Sequence, residues 1–589
     1  MEIGSRRGRG NLGPTMEMPP TYNVTAADAF VRCLTREHVN TVFGVAGGYM
    51  SPCLDAMRRA GVRVITNLHE SAAAFAAAGY AMAGDHLGVV YTQAGPGVTN
   101  AVTGVAAAFM DSVPLLLLAT QAPTNLYGAD AHQEVSGATH GIDQLDMFRT
   151  ASAVQYRPTT GDTMIRCTRR AFAATLARRS TAVLEVAGDL WGQKMVHHDL
   201  APENYRSAST PTDVAGIAKV AALLKAAKRP VLLVGSRAVH RGAAAELARL
   251  CTEQDLPCAT VDFAKGALPE DHPLALGILG SCGHDSAEEY FRSADLVIAL
   301  GTRMSSQTTL DFDASVFPNL VHIDELVEEP GRNLPLQLGI QSNLAVVSRA
   351  LREACGAPVE RGSVERVREL RARHQVYVRS HEVATSTPAV LAAVRAVLPR
   401  QTRVTGDTGL TLQYLKKFFP VYAEDGFYAL YSLASMGSGL PLALGVQLAR
   451  PDDPVLCVIG DGGILVHLSE LAIAAHYNLP VIVLVCNNGG YKQVGDRMER
   501  YQTEAYGCSL PPVDFAAIAR GCGCDAYKAH DAQGAAEAVQ LALKSRRPAL
   551  IDVAVEGDNI FDITPPRIKQ WWDRMFAGGA TTDWPFPKL

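Results

Sequence analysis

GDGGILVHLSELAIAAHYNLPVIVLVCNN, residues Gly460–Asn488, decides how this chain is read. The run before it, PVLCVI, is apolar and β-branched and stops at Gly460. Asp461 stands in the turn, and Gly462 and Gly463 leave room for backbone N–H groups to approach a ligand. A helix is expected from about Ile464 to Tyr477, its positive N-terminus facing that ligand. A second apolar strand, Val481–Cys486, then ends in Asn487–Asn488. A right-handed crossover puts the carboxyl ends of both strands on one sheet edge, where open α/β sheets bind ligands. Asp461 and Asn488 can converge there on one hard cation, Mg²⁺. A main-chain carbonyl, phosphate oxygens and water would complete its octahedron. Two other phosphate turns are excluded: the segment has no GxGxxG with a following acid, and the chain has no GxxxxGK[ST].

The same grammar, short apolar strands alternating with Ala-rich helical runs, extends outward from this segment. A third stretch, 385–556, carries DPVLCVIGDGG, LPVIVLVCNN and PALIDVAVEG. A second, 211–355, carries PVLLVGS, ADLVIALGTR and NLVHIDEL. A first, 22–190, carries VNTVFGVAGG, LGVVYTQAGPG and VPLLLLATQAP. Fully apolar strands alternating with helices indicate α/β domains, three doubly wound parallel sheets covered on both faces. The first and third stretches each place a glycine-rich turn directly after a strand, so they read as two related layers with a different one between. Gly192–Pro211 is polar and irregular, a linker. Arg361–His381 is charge-dense and reads as an exposed helical connector. Residues 1–21 form a disordered arm, and 557–589, with Trp571, Trp572 and WPFP, a tail or lid docking over a cleft.

Composition narrows the partners. The 589 residues carry 54 Lys+Arg against 59 Asp+Glu, and a net charge of −5 gives no electrostatic reason to expect nucleic acid or an anionic membrane. The apolar runs fall well short of the ~18 residues that a membrane span needs. Twelve scattered cysteines without a metal-ligand pattern, and no secretory signal at the start, point to a reducing, cytoplasmic setting.

GDG followed after 24 residues by NN resembles the thiamine diphosphate (ThDP) enzymes. The rest is similar to their acetolactate synthase branch: FGVAGG (43–48), HESAAAFAAAGYA (69–81), QAGPGVTNAVTGVAAAFMDSVPL (93–115), DAHQE (130–134), HIDELVEEPGRN (322–333) and SMGSGLPLALG (435–445). The resemblance implies pyrimidine-binding, middle and diphosphate-binding domains in that order. It also implies a homodimer or homotetramer with each active site between subunits. Glu70 stands where the family holds a glutamate against the cofactor's pyrimidine ring. Its Ala-rich helix start would desolvate the carboxyl and favour the protonated form. By the same resemblance Gly47, Gly48, Tyr49 and Gln133 face the reacting carbonyl, and His69 and His132 are candidate proton carriers. Met436 would bend the cofactor. Asp407, Thr408, Ser435, Gly460, Gly462, Gly463 and Tyr491 would bind it, and Asp461, Asn488 and Gly490 would bind its metal.

The departures bear on substrate. Where the branch has Gly-Met and then Trp after the NN pair, this chain has Lys492-Gln493 and then Arg497, a more polar and basic pocket. A family lysine falls at Ala153, and paired middle-domain arginines are Arg303 and Gln307, so a flavin contact is lost. The middle domain is left open as an FAD or nucleotide site. The leading expectation is a ThDP- and Mg²⁺-dependent lyase/ligase that decarboxylates a 2-oxo acid and passes the acyl carbanion to an acceptor. The alternatives are a 2-hydroxyacyl-CoA lyase or oxalyl-CoA decarboxylase-like enzyme and, in another class, a silent partner subunit of the same fold.

Overall fold

The apolar runs become parallel strands. The computed structural model describes residues 20–576 apart from 85, 139, 208–209, 240–243, 381–382, 384 and 502–503. Three six-stranded sheets form, and every pairing inside them is parallel. Strands covered on both faces cannot alternate apolar with polar. Leu115–Gln121, Thr181–Ala187 and Val481–Asn487 are accordingly almost wholly buried. Numbered within each sheet, the strands of the first and third follow the order 2-1-3-4-6-5, and those of the middle sheet 3-2-1-4-5-6. The first and third layers are therefore the matching pair, and the middle layer differs.

Three local expectations are corrected. The stretch 192–211 is not irregular throughout: Lys194–His198 is a strand, paired antiparallel with Thr21–Thr25. Of the arm expected over 1–21, residues 1–19 lie outside the described residues, while Thr21 already belongs to that small sheet. The helix expected from Ile464 to Tyr477 begins earlier and is broken into Asp461–Val466 and Glu470–His476. The break is at His467, whose ring is held at both nitrogens. Nδ1 bonds the Gly437 carbonyl and Nε2 bonds Ser71 Oγ, each at 2.8 Å. The connector is helical, Ser363–Ser380. Among the described residues no helix is long and apolar enough to cross a membrane, and all twelve cysteines are outside disulfides.

The first and third domains meet within one chain along two helices, Glu70–Gly84 and Gly439–Ala449. Both are buried nearly all round, as their lack of a polar face requires. Their backbones touch at two glycines. A Cβ on Gly79 would stand 2.2 Å from the Leu442 carbonyl oxygen, and one on Gly445 would stand 1.9 Å from that of Ala76. Polar contacts add to this interface. Asp111 accepts from Ser432 N at 3.3 Å and from its hydroxyl, and Arg303 of the middle domain donates to Ser112 Oγ at 2.8 Å.

Burial pushes the Asp111 carboxyl up from 3.8 to about 6, against the Ser432 bonds and Arg303. A carboxyl raised in this way holds its proton more tightly when folded. Its contribution to stability is complete below about pH 4 and is lost as pH rises through about 6. Asp111→Asn, which cannot ionise, should match wild type at about pH 4. It should exceed it by up to about 3 kcal/mol at about pH 8. Thermal unfolding of both proteins across that range is the check; a variant less stable than wild type at the high end would refute it.

Candidate active site

The third sheet reverses its strand order between Arg403–Gly406 and its neighbour Val455–Gly460, with Phe427–Tyr428 on the far side. Such a switch point opens a crevice at the carboxyl ends of the strands. Here it is a cleft of about 490 Å³. Gly460, Asp461, Gly462 and Gly463 form its floor. Thr408 and the first turn of the helix Leu410–Phe418 make one wall, and Asn488, Gly490 and Tyr491 the other. Met436 projects into it from the turn before Gly439–Ala449.

Asp461 carries the chemistry of this floor. Its Oδ1 accepts from Gly462 N at 2.8 Å, while its Oδ2 is buried without a hydrogen-bond partner, and burial raises the carboxyl above its usual range. A buried acceptor left unmatched costs about 1–3 kcal/mol, more when charged, and a divalent cation would relieve it. Asn488 Oδ1 accepts only a long 3.3 Å bond from Gly490 N. The Gly490 carbonyl accepts from Lys492 N at 2.9 Å and keeps a second lone pair. One carboxylate, one amide oxygen and one carbonyl fit Mg²⁺ with phosphate co-ligands. Glycine is forced at both positions after Asp461. A Cβ on Gly463 would lie 2.2 Å from Asp407 Oδ2, and one on Gly462 would lie 2.7 Å from the Tyr491 ring.

Two residues expected to bind the cofactor stand behind the wall instead. Asp407 is fully buried and accepts from Thr408 N and Gly437 N, each at 2.8 Å, and from Ser438 Oγ at 3.2 Å. It ties the Thr408 turn to the turn bearing Met436, and burial lifts its carboxyl to about 6. Ser435 directs its hydroxyl to the Met436 carbonyl. Both shape the cleft without lining it.

The basic side of the cleft separates into two cases. Lys492 is paired with the buried Asp496 one turn on, so its charge is compensated. Arg497 has no carboxylate partner among the described residues: its guanidinium lies 4.4 Å from the Trp572 ring, and its Nε is buried without a hydrogen bond. An adjoining compartment of about 280 Å³ shares Gln413, Tyr431, Gln493 and Arg497 with the cleft. It adds Cys282 and Gln307 from the middle domain and Trp572 from the helix Pro566–Phe576. Tyr431 was not singled out from sequence. It accepts from Gln413 Nε2 at 2.8 Å and lies 4.7 Å beneath Lys416 Nζ.

The first-domain candidates gather elsewhere. Glu70 opens its helix, is 8% exposed, and accepts from Asn100 Nδ2 at 3.0 Å. A Cβ on Gly97 would stand 3.1 Å from Glu70 Oε1 and 3.5 Å from Gln93 Cβ, so Glu70 and Gln93 flank one gap. Gln93, present in the quoted QAGPG but given no role, links the set. It accepts from Tyr49 N at 3.3 Å and donates to Gln133 Oε1 at 2.7 Å, and its side chain fills the space a Cβ on Gly47 would need. Tyr49 Oη donates to the His132 carbonyl at 3.0 Å, Gly48 is exposed, and Gln133 has φ 58°. His69 bonds Ser71 Oγ, which continues to His467. Among the described residues, none from the first domain lines the 490 Å³ cleft of the same chain.

At the carboxyl edge of the middle sheet, where a flavin or nucleotide would lie, two buried contacts are seen. Arg237, 2% exposed, makes a bidentate pair with Asp324 (3.0 and 2.6 Å) and approaches Glu329 at 3.7 Å. Gly235 packs directly on Gly301: a Cβ there would be 2.2 Å from the Gly301 carbonyl oxygen.

The comparisons agree with this geometry. The thiamine pyrophosphate enzyme N-terminal TPP binding domain matches residues 24–147, the central domain 217–351, and the C-terminal TPP binding domain 407–553. An acetolactate synthase large subunit of Parasynechococcus marenigrum is 31% identical over 92% of this chain and 90% of its own. A probable acetolactate synthase large subunit of Methanocaldococcus jannaschii is 30% identical over 92% and 93%. The acetolactate synthase isozyme 3 large subunit of Escherichia coli is 29% identical over 91% and 95%. The chain thus belongs to the thiamine pyrophosphate (thiamine diphosphate) enzymes, among those that resemble acetolactate synthase large subunits.

Proposed function

We propose that this enzyme uses Mg²⁺ with ThDP to decarboxylate a 2-oxo acid and transfer the acyl unit to an anionic acceptor. The observation that carries the reading is the buried, unpartnered Asp461 Oδ2 at the floor of a cleft whose rim bears one uncompensated guanidinium. When bound, the cofactor supplies a carbon nucleophile and an electron sink. Asp461, Asn488 and the Gly490 carbonyl would hold the metal and through it the diphosphate. The first turn of Leu410–Phe418 offers unpaired N–H groups to the same anion. Met436 shapes the middle of the cleft.

Glu70, Gln93, Tyr49 and Gln133 lie outside that cleft, so a second copy of the chain would bring its own set over it, in a cytoplasmic homodimer or homotetramer. Glu70 would then hold a proton against the cofactor's aminopyrimidine, and Tyr49 and Gln133 would face the reacting carbonyl. Arg497 would take the acceptor's carboxylate, with Trp572 holding the guanidinium plane.

Incubation with 2-oxo acids and carbonyl acceptors, ThDP and Mg²⁺, followed by mass spectrometry, tests the reading. CO₂ release and a carboligation product are expected. Protein that binds ThDP yet releases CO₂ from no 2-oxo acid would sink it. Arg497→Gln should raise KM for the acceptor about ten- to a hundredfold, the worth of a hydrogen bond to a charged group. The donor's KM should move little.

A further inference from the structure

A cavity of about 790 Å³, larger than the cofactor cleft, lies between the middle domain, the connector helix Ser363–Ser380 and the third domain. The edge strand Ala275–Ile278 lines one side of it. The helix Thr387–Val397 and the last turn of Leu410–Phe418 line the other. Nothing in the proposed reaction uses it.

Its charge is lopsided. Among the described residues, Lys265, Arg371, Arg395, Arg400 and Lys417 face the space against two carboxylates, Glu270 and Asp271. Both carboxylates are occupied. Glu270 binds Lys265 at 2.6 and 2.7 Å, and Asp271 pairs with Arg400. Lys417 is buried and pairs at 3.8 Å with Asp285.

Arg371 and Arg395 have no carboxylate partner among the described residues. Arg371 donates to the carbonyls of Glu270 and His272 at 2.8 and 2.9 Å. Arg395, 8% exposed, donates to those of Leu398 and Pro399 at 2.7 and 2.9 Å. Its guanidinium lies 4.9 Å from the Tyr422 ring and 5.6 Å from Phe419, and its Nε is buried with no hydrogen bond. These backbone bonds and ring contacts fix both planes without neutralising them. A desolvated cation held in this way is costly unless an anion meets it.

We propose that this cavity is a binding site for a phosphorylated small molecule carrying two or more negative charges, separate from the cofactor cleft. Arg371 keeps one N–H on each terminal nitrogen and Arg395 keeps those of Nη1 for phosphate oxygens, and the volume matches a nucleotide-sized ligand. The site also touches the catalytic half of the molecule. The helix Leu410–Phe418 lines the cofactor cleft with Thr411 and Gln413 and this cavity with Lys417 and Phe418. Its nine residues span about 14 Å.

Calorimetric titration of the full-length protein, saturated with ThDP and excess Mg²⁺ so that the diphosphate cleft is filled, tests the site. The probes are ATP and inorganic tripolyphosphate at low salt. At least one should bind wild type with a millimolar or lower Kd, and Arg371→Ala should weaken it about tenfold or more, with Arg371→Lys intermediate. Binding of both probes would identify the phosphates as sufficient, and binding of ATP alone would add a contribution from the base. Ala396→Glu guards against misfolding of the arginine variants. It removes no hydrogen bond, places a carboxylate at the exposed Ala396 on the cavity wall, and should abolish binding. Neither probe binding wild type at millimolar concentration, or Ala396→Glu binding as wild type does, would overturn the proposal.

Discussion

Asp461→Ala is expected to eliminate Mg²⁺-dependent binding of ThDP and to lower turnover by at least about 10³-fold, the scale on which lost electrostatic preorganisation acts. The loss should be in loading rather than in folding. Among the described residues no group bonds the buried Asp461 Oδ2, so the carboxylate adds little to the fold until a cation meets it. The unloaded variant should therefore melt no lower than unloaded wild type. Adding ThDP and Mg²⁺ should raise the melting temperature of wild type, since a ligand at a hundred times its Kd stabilises by about 2.7 kcal/mol. The variant should not respond. Thermal scans with and without the cofactor, together with calorimetric titration, separate the possibilities. A variant that unfolds without cofactor well below wild type would make Asp461 a structural residue, and one that still binds ThDP with Mg²⁺ would remove it from the metal site.

What the sequence made legible, and what it did not, follows from the range of the interactions. Gly460–Gly463 and Asn488 could be read because their constraint is local: a turn after a buried strand with a carboxylate in it and no room for side chains. The central strands could be read because burial on both faces leaves an unbroken apolar run. Edge strands such as Arg63–Thr66 and the two-residue Phe427–Tyr428 carry no such signal, since half their surface faces elsewhere or their length is too short for a pattern. The break at His467 was hidden because its cause lies in Gly437 and Ser71, distant in sequence. The pairing of Lys492 with Asp496 is a one-turn contact and was visible in KQVGD. Reading both basic residues as substrate contacts overlooked it. Trp572 over Arg497 needed the tail to be placed first, and the remainder of that tail, 577–589, lies outside the described residues.

Glu70→Gln should lower kcat by about 10²- to 10⁴-fold, the range for loss of a positioned proton donor or acceptor. It should leave ThDP affinity within about tenfold, because glutamine still offers an oxygen to Asn100 Nδ2 and the metal residues are untouched. This change and Asp461→Ala disable opposite halves of the proposed site, which makes its placement between subunits measurable. If Glu70 of one copy serves the cleft of the other, a mixed dimer of the two variants has one site with both defects and one with neither. Random exchange of equal amounts makes about half of the dimers mixed, so about a quarter of wild-type activity should return from two inactive preparations. If Glu70 and Asp461 of the same chain formed the site, every site in the mixture would carry one defect and nothing would return. Differently tagged chains, recovered together to confirm exchange, make a null result decisive. The single-chain geometry favours recovery: among the described residues none from the first domain lines the cleft, whereas Gln93 bonds Gln133 and stands with Glu70 beside Gly97.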